Sequence, residues 1–365
     1  MAAPVQLGEG GSFRLDLLRL LLVAQVVLGH YAMLGYPPFG QLDLSQPDQL
    51  FAGLYRMAAQ FGPQAAVVFV AMSGFFLVPR LVAIAQAAGG DGQLARFLVR
   101  FLGRRLQRIY PTLVAAIALT ALCDLLSTRL PGGRAVMRNT VGFDLAGDAS
   151  WPTALANLLS LQPTFSPSFG SNGPLWTLGY IVQYYVVGAM LAALWRKSHW
   201  LALLCLAALS AAALVWRPEW LLLFGAWVVC GLVAHWRVRT GRGIAAVLAA
   251  GTVLFVAAGP MPPLPATIVA ALASPLLLIS LASPWPHDPR RRLRMPPLLR
   301  EVPFPLYAFH FPLAVLALVL LLPWRAASPA SFTFAWPVLA LGLMLPVAFG
   351  WQWVLARISR KGTAA

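Results

Sequence analysis

The chain has 365 residues, of which 59% are apolar and 10% charged, with a mean hydropathy of +0.74. A soluble domain carries about 25% charged residues, so the composition excludes that class and predicts an all-α polytopic membrane protein. The net charge of +16 would suit nucleic acid as a partner, but its distribution along the chain assigns it to membrane topology instead.

Ten apolar spans have roughly the length a bilayer needs. They lie near 15–35, 62–83, 107–127, 174–195, 200–216, 219–236, 243–259, 264–283, 304–323 and 333–356. The fifth and sixth are separated only by Arg217-Pro218-Glu219. With a cytoplasmic N-terminus, 21 of the 27 Lys/Arg and five of the 11 acids fall on the inner side. Six of each remain outside, so the whole net charge lies on one face, as the positive-inside rule requires. An odd number of spans would break this alternation. About ten transmembrane helices with both termini cytoplasmic are therefore expected, the basic face meeting anionic headgroups. Met1 to Ser12 has neither a basic n-region nor a small-residue cleavage site, so it does not read as a signal peptide. Cys123, Cys205 and Cys230 all fall in apolar segments, which indicates neither a disulfide framework nor a metal site. Arginine outnumbers lysine 25 to 2, a bias that points to a GC-rich bacterial genome. No repeat or soluble appendage is evident, and residues 1–365 read as one membrane domain.

The first span holds Arg19 and His30, eleven residues apart with no charge between them. Eleven residues turn a helix by about 1100° and advance it about 16 Å, so both side chains point the same way at different depths. Ionisable groups inside a bilayer are costly and mark function, although an anchoring arginine and a snorkelling histidine would explain the pair too. The outer loop 36–61 contains Tyr36-Pro37-Pro38, Asp43 and Asp48, aromatic and acidic groups that would suit a sugar or simply pack at the interface. In the second span, Ser73-Gly74 permits close approach of another group, either a ligand or a neighbouring helix. Arg96, Arg100 and Arg104 recur every four residues beside Phe97, Leu98 and Phe101, which predicts a basic amphipathic helix on the cytoplasmic surface. Arg105 and Arg108 follow on one helix face, before Tyr110-Pro111, and can fork onto phosphate oxygens.

The outer loop from 128 to 173 is longer than connection requires and holds Asp144, Asp148 and Trp151. The fourth span opens Asn172-Gly173-Pro174-Leu175-Trp176-Thr177-Leu178, with Trp176 at the interface. The ninth opens Pro305-Leu306-Tyr307-Ala308-Phe309-His310-Phe311-Pro312. Its histidine is either structural or a ligand contact.

Taken together, these motifs resemble the membrane acyltransferase-3 family, the integral-membrane O-acyltransferases of bacterial surface polysaccharides. The resemblance rests on Arg19 and His30, on Ser73-Gly74-Phe75, on Arg105 and Arg108 before Tyr110-Pro111, on Pro174 to Leu178, and on Tyr307, His310 and Pro312. It covers residues from about 13 to 312. One position departs from the family pattern: many members place a glutamate where this chain has Ile181. Asp124, Asp43 and Asp48 are the acids that could stand in for it.

The resemblance implies a multi-pass protein of the bacterial inner membrane. It would move an acyl group, usually acetyl from acetyl-CoA, to a hydroxyl of a carbohydrate acceptor such as an exopolysaccharide or O-antigen. Arg105, Arg108, Ser73, Gly74 and Tyr110 would then bind the CoA moiety. Arg19 and His30 would be catalytic, His30 as general base or acyl carrier. Trp176, Asp124, Tyr307 and His310 would contact the acceptor, and no metal is called for. A transporter or flippase for a lipid-linked sugar is the alternative, favoured by the basic inner face and disfavoured by the absence of repeated halves.

Overall fold

The computed structural model describes residues 9–142, 147–236, 243–284 and 294–362. Asp144 and the arginine-bearing loop stretches 237–242 and 285–293 lie outside the described residues. Among the described residues the secondary structure is helical, without strands. The first predicted span is α1 (Glu9–Gly35), and a short α2 (Pro47–Ala59) follows in the loop. α3 (Gly62–Ala87) and α4 (Asp91–Arg129) carry the second and third spans. The long loop holds α5 (Gly133–Val136) and α6 (Trp151–Leu158). Then come α7 (Trp176–Lys197), α8 (His199–Trp216), α9 (Pro218–His235), α10 (Ile244–Ala257) and α11 (Pro263–Ala282). After α12 (Pro297–Glu301), α13 (Pro303–Leu320) is the ninth span; α14 (Leu322–Ala327) precedes α15 (Pro329–Gly362), the tenth.

Among the described residues, nine helices are long and apolar enough to cross a membrane. The remaining predicted span, α10, has 14 residues, about 21 Å of rise against a hydrocarbon core of about 30 Å. The basic stretch expected as a separate surface helix is instead the first half of the 39-residue α4. Nothing between Gln93 and Tyr110 stops a helix: there is no proline, and Gly103 stands alone among strong helix formers.

The chain falls into two compact units. The first comprises Met1–Arg19, Gln64–Tyr110 and Thr177–Met295. Within it α11 packs on α9 and α10, while α8 is peripheral, with Ala202 as its buried residue. The α3–α9 contact is set by Ser73-Gly74. A Cβ at Gly74 would strike the backbone carbonyl of Trp227, and the Trp227 indole donates to Ser73 Oγ at 2.9 Å. Arg14 closes the C-terminus of α11, donating from Nε to the Leu281 carbonyl at 2.9 Å and from Nη2 to that of Ser283 at 2.7 Å.

The second unit comprises Leu20–Pro63, Pro111–Trp176 and Pro296–Ala365. Its core helix is α13, with 15 of 18 residues buried, packed against α15, α12 and α14. α15 also packs on α2, and its Trp336 donates to the Tyr31 carbonyl of α1 at 2.9 Å.

Gly74→Val is expected to destabilise the first unit by about 1–3 kcal/mol or more, because the obstacle is backbone and cannot rotate away. Thermal unfolding in detergent would register this as a lower midpoint, whereas Gly342→Val on α15, where a Cβ meets nothing within 4 Å, should change little.

Candidate active site

Two histidines from distant parts of the sequence meet in the second unit. His30 Nδ1 of α1 lies 2.9 Å from His310 Nε2 of α13, and His310 Nδ1 lies 2.8 Å from the carbonyl oxygen of Tyr307. A carbonyl only accepts, so His310 must donate from Nδ1. The Nε2 of a neutral His310 is then an acceptor, and His30 donates to it from Nδ1. This leaves the lone pair on His30 Nε2. The tautomers thus follow from a single backbone carbonyl. His310 is fully buried, whereas His30 is partly exposed. Phe311 stands edge-on to the His30 ring, centroids 5.1 Å apart.

The opening of α13 is held by the turn before α7. Pro312 has no N–H, so the carbonyl four residues back, that of Ala308, loses its helical donor. Asn172 Nδ2 replaces it at 2.9 Å and also reaches Thr120 Oγ1 at 3.1 Å. The Tyr307 hydroxyl donates to the Pro174 carbonyl at 2.6 Å. The motifs around Pro174 and around His310, 136 residues apart, therefore interlock.

Asp124 anchors this turn. Its carboxylate, 3% exposed, accepts from Ser171 N at 2.8 Å and Ser171 Oγ at 2.6 Å. Gly170 has φ +57°, and a Cβ there would strike the Asp124 carboxylate, so glycine is required twice over. None of the acids considered as a partner of His30 meets it. Asp124 holds Ser171. Asp43, exposed in its loop, accepts from Ser45 N and Oγ, which hold its carboxyl below the usual range. Asp48 sits in the first turn of α2. Trp176 is half-buried where α7 begins.

The first unit gathers the cations. Arg19, Arg105 and Arg108 lie within electrostatic reach of the Tyr185 hydroxyl, with Ser73 beside it, and Arg80 lies within electrostatic reach of Arg105. Arg19 pairs with Asp16 at 3.1 Å and stacks over Phe76, and Arg105 stacks over Phe101. Neither Arg80 nor Arg105 has a carboxylate partner among the described residues. Tyr110 is half-buried at the end of this stretch, and Ile181 is buried in α7. The group that Gly74 admits is the Trp227 backbone, so packing accounts for that glycine. Reading by motif missed Arg80 and the central place of Tyr185. Among the described residues, no three His, Cys, Asp or Glu side chains gather as metal ligands.

The family model described as an acyltransferase domain matches residues 13–356, nearly the whole chain. The chain belongs to the acyltransferase-3 family. It is a multi-pass membrane acyltransferase, and the histidine pair and the arginine group are its candidate machinery. No curated protein and no solved structure matches the chain.

If Asn172 replaces the donor that Pro312 lacks, the two positions are coupled. Asn172→Ala should cost about 1–3 kcal/mol through the unpaired Ala308 carbonyl. In a Pro312→Ala background, where residue 312 supplies the N–H, the same substitution should cost less by about 1 kcal/mol. A double-mutant cycle on unfolding midpoints reads the difference.

Proposed function

We propose that this chain transfers an acyl group, most often acetyl, from acyl-CoA to a carbohydrate hydroxyl in a bacterial inner membrane, with both termini cytoplasmic. The observation that carries the reading is the ordered chain from the Tyr307 carbonyl through His310 to His30, which leaves a basic nitrogen on the more exposed histidine.

In this reading His30 Nε2 takes the proton of the acceptor hydroxyl as that oxygen attacks the thioester carbonyl. A C–O bond forms and the C–S bond breaks. The proton passes from His30 to the departing thiolate, giving free CoA thiol and the O-acyl ester. His310 is the positioning partner: it accepts the His30 N–H and steadies the imidazolium that forms. A sugar hydroxyl is a poor nucleophile at neutral pH, so a base with a fixed tautomer is the part such a transfer needs most.

The donor side rests on charge. CoA carries a 3′-phosphate and a diphosphate; Arg105, Arg108 and Arg19 lie within electrostatic reach of Tyr185 and Arg80 within reach of Arg105, and among the described residues Arg80 and Arg105 lack carboxylates. Guanidiniums bind phosphate oxygens in paired, charge-assisted hydrogen bonds. Asp124 and Tyr307, tied to Ser171 and Pro174, support the histidines from the far side of the turn.

Release of free CoA thiol by purified protein in nanodiscs, with acetyl-CoA and a cell-envelope glycan extract, tests this. His30→Ala should lower turnover at least about a hundredfold, the contribution of a positioned base. Arg105→Ala should raise KM for acetyl-CoA about tenfold with kcat nearly unchanged. Full turnover in His30→Ala would remove the mechanism. Absence of any CoA-dependent reaction in the wild type would remove the function in favour of transport.

A further inference from the structure

Among the described residues three arginines donate to carbonyls at helix ends, Arg196 to Ala85 of α3 being one, and Arg14 and Arg56 differ in how completely they are used. Arg14 places both Nε and Nη2 on the last carbonyls of α11. Arg56 of α2 donates from Nη2 to the Tyr36 carbonyl at the end of α1, at 2.6 Å, but its Nε is buried with no hydrogen-bond partner. The hydroxyl of its neighbour Tyr55 is likewise buried and unpartnered. No carboxylate among the described residues faces Arg56. A capping role explains Nη2 and leaves the charge and Nε unexplained. Buried donors, above all charged ones, are costly unless a partner completes them.

Tyr55 lies among aromatic rings, and Arg56 reaches the backbone of one of those residues, Tyr36. Tyr36 meets Tyr55 edge-on with centroids 5.2 Å apart, Phe51 lies 6.4 Å from Tyr55, and Phe334 of α15 lies 5.1 Å from Phe51 and is 46% exposed. Tyr36 itself is spoken for, its hydroxyl donating to the Thr333 carbonyl at 3.0 Å. The cluster belongs to the same unit as the histidine pair, and Tyr36, just past the end of α1, follows His30 by six residues, about 9 Å at helical rise. Of the acids of this loop, Asp43 accepts from Ser45 and Asp48 lies in the first turn of α2. What remains is a cation, a hydroxyl donor and apolar ring surface.

We propose that Arg56 and Tyr55 form a subsite for an acidic sugar, binding an anionic oxygen of the acceptor while its C–H face lies against the aromatic rings. The inference takes the acyl-transfer reading only to name the ligand as the acceptor. The anionic oxygen is a carboxylate on the glycan or a phosphate ester on the sugar. Both accept from Nε–H of a guanidinium and from a phenol, and neutral hexoses offer nothing to complete the charge.

Direct binding tests this without acetyl-CoA, so its outcome is independent of turnover. Methyl glucuronide, glucose 1-phosphate, methyl glucoside and inorganic phosphate are titrated, by calorimetry, into protein held in nanodiscs of zwitterionic lipid. At least one of the two acidic sugars should bind about tenfold or more tighter than methyl glucoside and than phosphate alone. Preference for the glucuronide assigns the site to a glycan carboxylate, and preference for the sugar phosphate assigns it to a phosphorylated carrier. Arg56→Gln should erase the preference and Tyr55→Phe should reduce it severalfold. If Arg56→Gln does not fold for want of the α1 cap, Arg56→Lys keeps the charge but loses Nε, and should weaken the preference with an unchanged unfolding midpoint. Equal binding of neutral and acidic sugars, inorganic phosphate binding as tightly as either, or a preference that survives in the arginine variants would overturn the proposal. Turnover that depends on His30 with no acidic-sugar preference would overturn the subsite and leave the acyl-transfer reading standing.

Discussion

The bond between His30 and His310 depends on one backbone carbonyl. In an apolar helix bundle, a histidine without a partner is a buried unsatisfied group, and a charged one is worse. Two neutral imidazoles hydrogen-bonded in series, ending on the Tyr307 carbonyl, satisfy each other without placing an ion in the interior at rest. The direction of the series is fixed because only one end has an obligate acceptor. Everything that holds Tyr307 in place therefore bears on the nitrogen at the other end. Tyr307 is held through its hydroxyl to Pro174, and its neighbour Ala308 through Asn172.

This explains why two short motifs far apart in sequence are built as they are. Pro312 removes a helical donor, Asn172 restores it from outside the helix, and Asp124 holds Asn172's neighbour Ser171 by two hydrogen bonds. A proline in a core helix is costly when the freed carbonyl has no partner. Here the freed carbonyl is the point of attachment for the turn that opens α7. The long loop before α7 is thus a support for α13 and for the histidine on it.

The spans were legible because apolar length is a property of a single segment. All ten predicted spans correspond to helices, including the pair broken only at Arg217-Pro218. The first half of α4 was legible as basic and amphipathic, but not its continuity with the span that follows, since no breaker separates them. Residues of the site were legible by type, whereas their partners were not. Periodicity says which face His30 occupies on α1, not which helix lies opposite. For that reason the sequence offers three aspartates as partners for His30, where the structure places a second imidazole. The same limit applies at Gly74, where spacing shows that something comes close and only the fold shows it to be Trp227. Arg80 gave no signal because a lone arginine near the end of an apolar span reads as a topology marker.

A histidine partner in place of an acid changes the electrostatics of the proposed step. A carboxylate beside His30 would stabilise the imidazolium by full charge, but it would have to be desolvated in the resting state, and that cost can exceed the attraction. His310 contributes a dipole and an acceptor nitrogen, so it stabilises the charged form less and costs less when the site is idle. The position where the family often has glutamate is the buried, apolar Ile181, and this pairing needs no ion there. The arrangement suits a transfer in which positive charge exists only while the thioester is being opened and is returned to the leaving thiolate in the same event. The departing sulfur, rather than a resident carboxylate, is then the counter-charge to His30.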